Sequence, residues 1–272
     1  MTVEEALAVT EQLNRERIDV SLDSLGESVS DVEHAERSAA IYHQLLDEIA
    51  ARGLRANVSV KLTQVGMDVG NDGPALAERI VGEMAAHAAQ TRNFVRIDME
   101  GSQYTEATVE ITERLHAQFP AAVGTVLQAY LYRTADDMER LLAQHIRIRL
   151  CKGAYKEPGE IAFPSKADVD VNYARLMERA VTSSVFCGIA THDEALVSRL
   201  CRFVEANVVP KSAFEFQMLY GVRRDLQRKL VAAGYGVRVY VPFGPEWYPY
   251  FMRRLAERPA NVLFLARNFF RK

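Results

Sequence analysis

Short apolar, β-branched segments recur in this chain about every 25 to 40 residues, and longer amphipathic stretches fill the gaps between them. Eight such segments are legible: Ile18–Gly26, Asn57–Thr63, Asn93–Glu100, Gly124–Leu131, Ile146–Gly153, Val185–His192, Ala213–Leu219 and Val237–Gly244. The spacing is that of one strand–helix unit with its loops. Amphipathic stretches such as DVEHAERSAAIYHQLLDEIAARG and DDMERLLAQH supply the helices. Eight units in series predict an α/β fold, a (βα)8 barrel. No Pro/Ser-rich linker divides residues 1–272, so a single domain is the expectation, and a two-domain doubly wound sheet is the alternative.

Several of these strands alternate in polarity, whereas purely structural parallel strands usually read as continuous apolar runs. Ser59 and Lys61 share a face, as do Arg96 and Asp98, Gln128 and Tyr130, Arg147 and Arg149, and Glu215 and Gln217. If Val58, Val60 and Leu62 face the helices, the polar set faces the barrel lumen. Charges buried there must pair with one another or with a ligand. Lys61, at the end of the second strand, suits a Schiff-base nucleophile, an anion anchor or an ion-pair partner. Asp98, at the end of the third, suits an acid, a base, an orienting group or the partner of an arginine.

The run RIRLCKGAYKEPGE, residues 147–160, places cations and a glycine where the fifth strand gives way to a loop. In an α/β barrel that end of the strand is where chemistry sits. Glycine lets backbone approach a phosphate and the cations offset its charge, so the segment suits an anionic cofactor; a solvated strand end is the plainer reading. Near the C-terminus, Tyr250, Arg253, Arg254 and Glu257 fall at i, i+3, i+4 and i+7 of a helical pattern and share one face. Two arginines there could present planar forks to a carboxylate, or could form ordinary surface salt bridges. His192 closes the sixth strand without a second histidine nearby, so no metal site is expected.

Other classes are disfavoured. A net charge of −3 carries no nucleic-acid signature. Cys151, Cys187 and Cys201 lack metal-ligand spacing and fit a reducing compartment. The acidic, helix-patterned N-terminus is unlike a signal peptide, and no apolar stretch reaches the length of a membrane span. The G-x-G at Gly234–Gly236 precedes a strand, whereas a dinucleotide fingerprint must follow one.

The segments VSVKLT, VRIDMEGS, LQAYLYRT, RLCKGAYKE, GIATHD, FEFQMLYG, RVYVPFG and YPYFMRRLAE together resemble the proline dehydrogenase family, in the family's order, over about nine-tenths of the chain. The resemblance implies a distorted (βα)8 TIM barrel with a C-terminal helix packing over the active site, and FAD at the carboxyl ends of the strands. It implies that Lys61, Arg253 and Arg254 bind the carboxylate of L-proline, with Glu257 and Asp98 holding those cations in place. Leu219, Tyr240 and Tyr250 would pack on the pyrrolidine ring. Arg149 would lie near the flavin N5, and Met99 and Gln128 would contact the isoalloxazine. Lys152, Gly153, Ala154 and Tyr155 would line the flavin and its pyrophosphate, and Thr191, His192 and Asp193 the adenylate half. The implied reaction moves a hydride from the ring carbon beside nitrogen to FAD N5, giving 1-pyrroline-5-carboxylate, with reoxidation by a membrane quinone.

The same resemblance implies a cytoplasmic enzyme making peripheral contact with the inner face of the membrane, for which VLFLARNFFRK offers apolar and basic residues but no dedicated anchor. It departs from some relatives in starting close to the first strand, as a minimal version would, and in carrying Lys156 where they place tryptophan. Nothing like an aldehyde dehydrogenase follows Lys272, so a monofunctional enzyme is expected, with a separate 1-pyrroline-5-carboxylate dehydrogenase taking its product. Hydroxyproline oxidation is a close variant, disfavoured by the bulk of Tyr240. A Schiff-base lyase using Lys61 or Lys152, and a non-catalytic docking subunit, are the readings from other classes.

Overall fold

Eight parallel strands pair in chain order, and the last closes back on the first. This computed structural model describes residues 1–26 and 28–244. The strands are β1 (Asp19–Ser24), β2 (Ala56–Lys61), β3 (Val95–Asp98), β4 (Val123–Gln128), β5 (Arg147–Cys151), β6 (Cys187–Ala190), β7 (Phe214–Leu219) and β8 (Gly236–Phe243). Helix α1 (Val3–Arg15) precedes β1. The rest follow their strands in turn: α2 (Val32–Ala51), α3 (Gly73–Gln90), α4 (Thr105–Gln118), α5 (Thr134–Ala143), α6 (Lys166–Val181), α7 (Glu194–Ala206) and α8 (Arg224–Ala232).

The helices start where side chains satisfy their first amide groups. Thr2 and Glu5 form a reciprocal capping box at α1. Asp31, Ser165 and Asp193 cap α2, α6 and α7 by accepting from His34, Asp168 and Ala195 amides. The chain also binds its own start: the Gly244 amide, just past β8, donates to the Met1 carbonyl at 3.0 Å.

The core lies between the barrel and its ring of helices. Val20, Leu22, Val58, Val60, Val95, Ile97, Ile148, Leu150, Phe216 and Val239 are fully buried on the outward faces of their strands. Their neighbours in sequence alternate to the lumen, as the period of two demands. All eight expected strands are present, but several end early. The third stops at Asp98, the fourth at Gln128, the fifth at Cys151 and the sixth at Ala190. The apolar–polar pattern runs on because the following loop residues still line the barrel mouth.

Cys187, on β6, is buried, and burial pushes its thiol up to about 11. At about pH 8 we expect aromatic disulfide reagents to modify half-buried Cys151 and Cys201 first, and Cys187 only when the protein unfolds. Equal rates for all three thiols in the folded protein would contradict this placement.

Candidate active site

The polar side chains of the lumen form a layered network, tightest towards the carboxyl ends of the strands. Lower down, Glu215 on β7 accepts from Arg238 on β8 at 2.6 Å. Arg96 on β3 donates to the carbonyls of Thr125 and Arg147 at 3.0 and 2.9 Å and stacks over the Phe94 ring. Burial, and then the nearby charge of Arg149, push the Arg96 guanidinium below its ordinary range. These side chains fill the lumen from below, and in a barrel of this kind chemistry sits at the carboxyl ends of the strands.

Above this, Asp98 and Arg149 form a buried ion pair at 2.7 Å. Ser59 donates to Asp98 at 2.7 Å. Arg149 also donates to Ser59 and Ser21, at 3.2 and 3.3 Å, and its Nε to Gln217. Four strands thus hold the guanidinium of a fifth, and little rotamer freedom is left to it. Gly188 on β6 makes room for this: a Cβ there would meet the Gln217 amide at 2.3 Å.

One layer higher, Lys61 donates to Asp23 at 3.1 Å. The Tyr240 hydroxyl joins the two pairs, 2.5 Å from Asp23 Oδ2 and 2.9 Å from Asp98 Oδ2. The Arg149 guanidinium lies 5.2 Å from the centre of the Tyr240 ring. Lys61, Asp98, Arg149 and Tyr240, expected as site residues, therefore meet at one place. The partnerships differ from the expectation in one respect. Asp23, not Asp98, holds Lys61, while Asp98 serves Arg149. Sequence reasoning placed Asp23 in the first strand but gave it no role. Its alternation with Ser21 was the available signal.

Around the mouth, Gln128 donates to the Glu100 carbonyl at 2.7 Å, and Met99 is buried beside it in sequence. The Glu100 carboxylate accepts from the Thr63 amide and hydroxyl at 3.1 and 2.7 Å. Leu219 is partly exposed at the end of β7. Its amide donates to His192 Nε2 at 2.8 Å, which puts the proton of a neutral imidazole on Nδ1. The buried Thr191 hydroxyl accepts from the Asp193 amide at 3.1 Å.

Lys152 is held by Asp170 of α6 and, at 3.0 Å, by Asp193 at the start of α7. Burial raises the Asp193 carboxyl, but the hydrogen bond and charge of Lys152, with two backbone amides, bring it below its ordinary range. A lysine nucleophile needs surroundings that disfavour its cation, and both Lys61 and Lys152 have carboxylates beside them instead. Gly153 has φ +113°, and a Cβ there would meet the Tyr130 ring at 2.2 Å, so Tyr130 packs directly on the backbone past β5. Ala154 is partly exposed and Tyr155 exposed on the same loop. Tyr250, Arg253, Arg254 and Glu257, and the final helix expected over the site, lie outside the described residues.

A closed parallel barrel with buried, mutually braced charges at the carboxyl ends of its strands defines a (βα)8-barrel enzyme. The sequence profile of the family described as "Proline dehydrogenase" matches residues 6–267. The chain is 41% identical over 265 residues to a proline dehydrogenase of Deinococcus radiodurans, covering 97% of this chain and 86% of that one. It is 37% identical over 271 residues to proline dehydrogenase 1 of Bacillus subtilis, covering 100% and 88%. Among solved structures, proline utilization A (PutA) from Bdellovibrio bacteriovorus, inactivated by N-propargylglycine, superposes with a TM-score of 0.87 at 24% identity. That match covers 93% of this chain and 31% of the PutA chain, so this chain spans about a third of its length. The chain belongs to the proline dehydrogenase family. Oxidation of proline in proline catabolism is the activity that membership supports. Among the described residues, no helix is long and apolar enough to cross a membrane.

Proposed function

We propose that this protein is a monofunctional, FAD-dependent L-proline dehydrogenase. The observation that carries the reading is the braced cluster of Lys61–Asp23 and Asp98–Arg149 joined by Tyr240, in a chain of this family. The residues fit the cofactor. A fixed guanidinium and a braced lysine stand at the carboxyl end of β5, the donor set that an anionic cofactor requires. Arg149, Met99, Gln128, Lys152, Gly153, Ala154, Tyr155, Thr191 and His192 would hold it. When bound, FAD supplies at its N5 the acceptor for the hydride that leaves the proline ring carbon beside nitrogen, giving 1-pyrroline-5-carboxylate.

The chain's own residues orient the substrate. Lys61 on β2, with Arg253 and Arg254, would bind the proline carboxylate. Glu257 would hold the arginines. Leu219, Tyr240 and Tyr250 would wall the ring and fix the reacting carbon in place. Cations on the carboxylate side also favour loss of the ammonium proton, which the departing hydride requires. Asp98 keeps Arg149 from turning away. We extend the reading to a membrane quinone as electron acceptor, to a cytoplasmic enzyme in peripheral contact with the inner face of the membrane, and to a separate 1-pyrroline-5-carboxylate dehydrogenase downstream.

A visible spectrum of the purified protein, before and after anaerobic proline, tests this. A flavin spectrum bleached by proline is the expected result. A flavin that proline leaves oxidised would redirect the substrate to another cyclic amine. A folded protein that takes up no FAD on reconstitution would overturn the reading.

A further inference from the structure

We infer that Asp23 is a positioning residue of the substrate site, which fixes the Lys61 ammonium and the Tyr240 hydroxyl where a ring carboxylate meets them. The inference rests on the reading above that Lys61 binds the carboxylate of the substrate. Asp23 is fully buried near the carboxyl end of β1, and three side chains from three other elements converge on it. Lys61 of β2 approaches to 3.1 Å, Tyr240 of β8 to 2.5 Å and Tyr42 of α2, whose shorter bond is to Gln64 at 2.8 Å, to 3.3 Å. The register fixes this meeting, because β1 pairs with both β2 and β8.

A tyrosine hydroxyl has one proton to give. Asp23 is its nearer acceptor and Asp98 the farther. The position of that hydroxyl, and hence of the ring beneath it, is therefore set largely from Asp23. Lys61 is long and flexible, and only 6% exposed. A carboxylate beside it restricts its rotamers and favours its charged form in surroundings that otherwise penalise charge. Among the described residues, the titratable and charged groups packed around the pair are Tyr42 from α2, Tyr240 from β8 and, through Tyr240, Asp98 of β3 with Arg149 of β5. Burial, and then the charges of Asp23 and Asp98, raise Tyr42 well above its ordinary range, so it stays a neutral donor.

Removing the charge at Asp23 should therefore do two things that a merely structural defect would not. It should weaken carboxylate binding chiefly through Lys61, and it should make that binding fail as pH rises, because the lysine then keeps its proton less firmly. The probe is cyclopentanecarboxylate, a ring carboxylate with no oxidisable amine, titrated into the FAD-loaded protein by calorimetry, with the KM for proline measured alongside. For Asp23→Asn we expect roughly tenfold weaker binding near pH 7, and a steeper decline towards about pH 9 than in the parent. In a Lys61→Met background the same substitution should cost clearly less, only the share carried by Tyr240 remaining. Parent-like binding at both pH values, or the same loss with and without Lys61, would overturn the inference.

Asp23→Glu serves if the asparagine variant does not fold. It keeps the charge but displaces the oxygens, so weaker binding with the parent's pH profile is expected, and parent affinity would count against the proposal. A parent protein that binds neither proline nor this carboxylate overturns the substrate reading instead, before any variant is made.

Discussion

Replacing Asp98 by alanine should cost about 3–5 kcal/mol of folding stability and remove proline oxidation. The reason is the charge it leaves behind. Arg149 is buried, and Asp98 is its carboxylate partner at 2.7 Å. Ser59, Ser21 and Gln217 would still accept from the guanidinium, but none of them carries a charge to offset it. Ser59 and Tyr240 would each lose an acceptor as well. Urea unfolding of parent and variant gives the stability difference directly. A difference below about 1 kcal/mol would show that Arg149 finds compensation within the lumen, and would detach Asp98 from the bracing role assigned to it.

The second large effect is expected at Gly153. Alanine there meets two obstacles at once. The backbone angle of +113° is one that side chains rarely tolerate, and the new Cβ would fall 2.2 Å from the Tyr130 ring. Tyr130 cannot easily retreat. It is buried with Leu131 and Ala162, and its amide and carbonyl are bonded to Lys152 and Phe163. Strain of roughly 1–3 kcal/mol must be relieved by moving the loop after β5. The barrel itself should keep its melting temperature to within a few degrees, since that loop lies outside the ladder. FAD affinity should fall on the order of tenfold or more, each tenfold being about 1.4 kcal/mol of the strain. The flavin-to-protein ratio after dialysis measures this. Full flavin content in a folded Gly153→Ala protein would mean that this backbone does not approach the cofactor.

The barrel was legible because its signal is local and repeated. A two-residue period in VSVKLT or VRIDME states which side chains enter the lumen, and the closed sheet obeys it. Strand ends were less legible. The pattern in LQAYLYRT continues through Tyr130 and Leu131, although the ladder stops at Gln128, because the turn still packs its apolar side chains. The partnerships within the site were not legible at all. Lys61 and Tyr240 stand 38 and 217 residues from Asp23, so no motif of ordinary length contains the group. Lys152 shows the converse. In sequence it reads as a phosphate cation, and the two carboxylates that hold it arrive from helices 18 and 41 residues further on.

The bond between the Gly244 amide and the Met1 carbonyl bears on how this protein is handled at the bench. Gly244 lies at the carboxyl end of β8, three residues beyond Val241 and beside the strand that carries Tyr240. The start of α1 is therefore anchored on the rim of the mouth and not on the far side of the barrel. An affinity tag joined to Met1 would begin at that rim. Its first residues would stand beside the end of β8, the strand that carries Tyr240, and polyhistidine would bring its own charge and metal affinity there. Variants of the lumen residues are therefore best compared with any such tag removed.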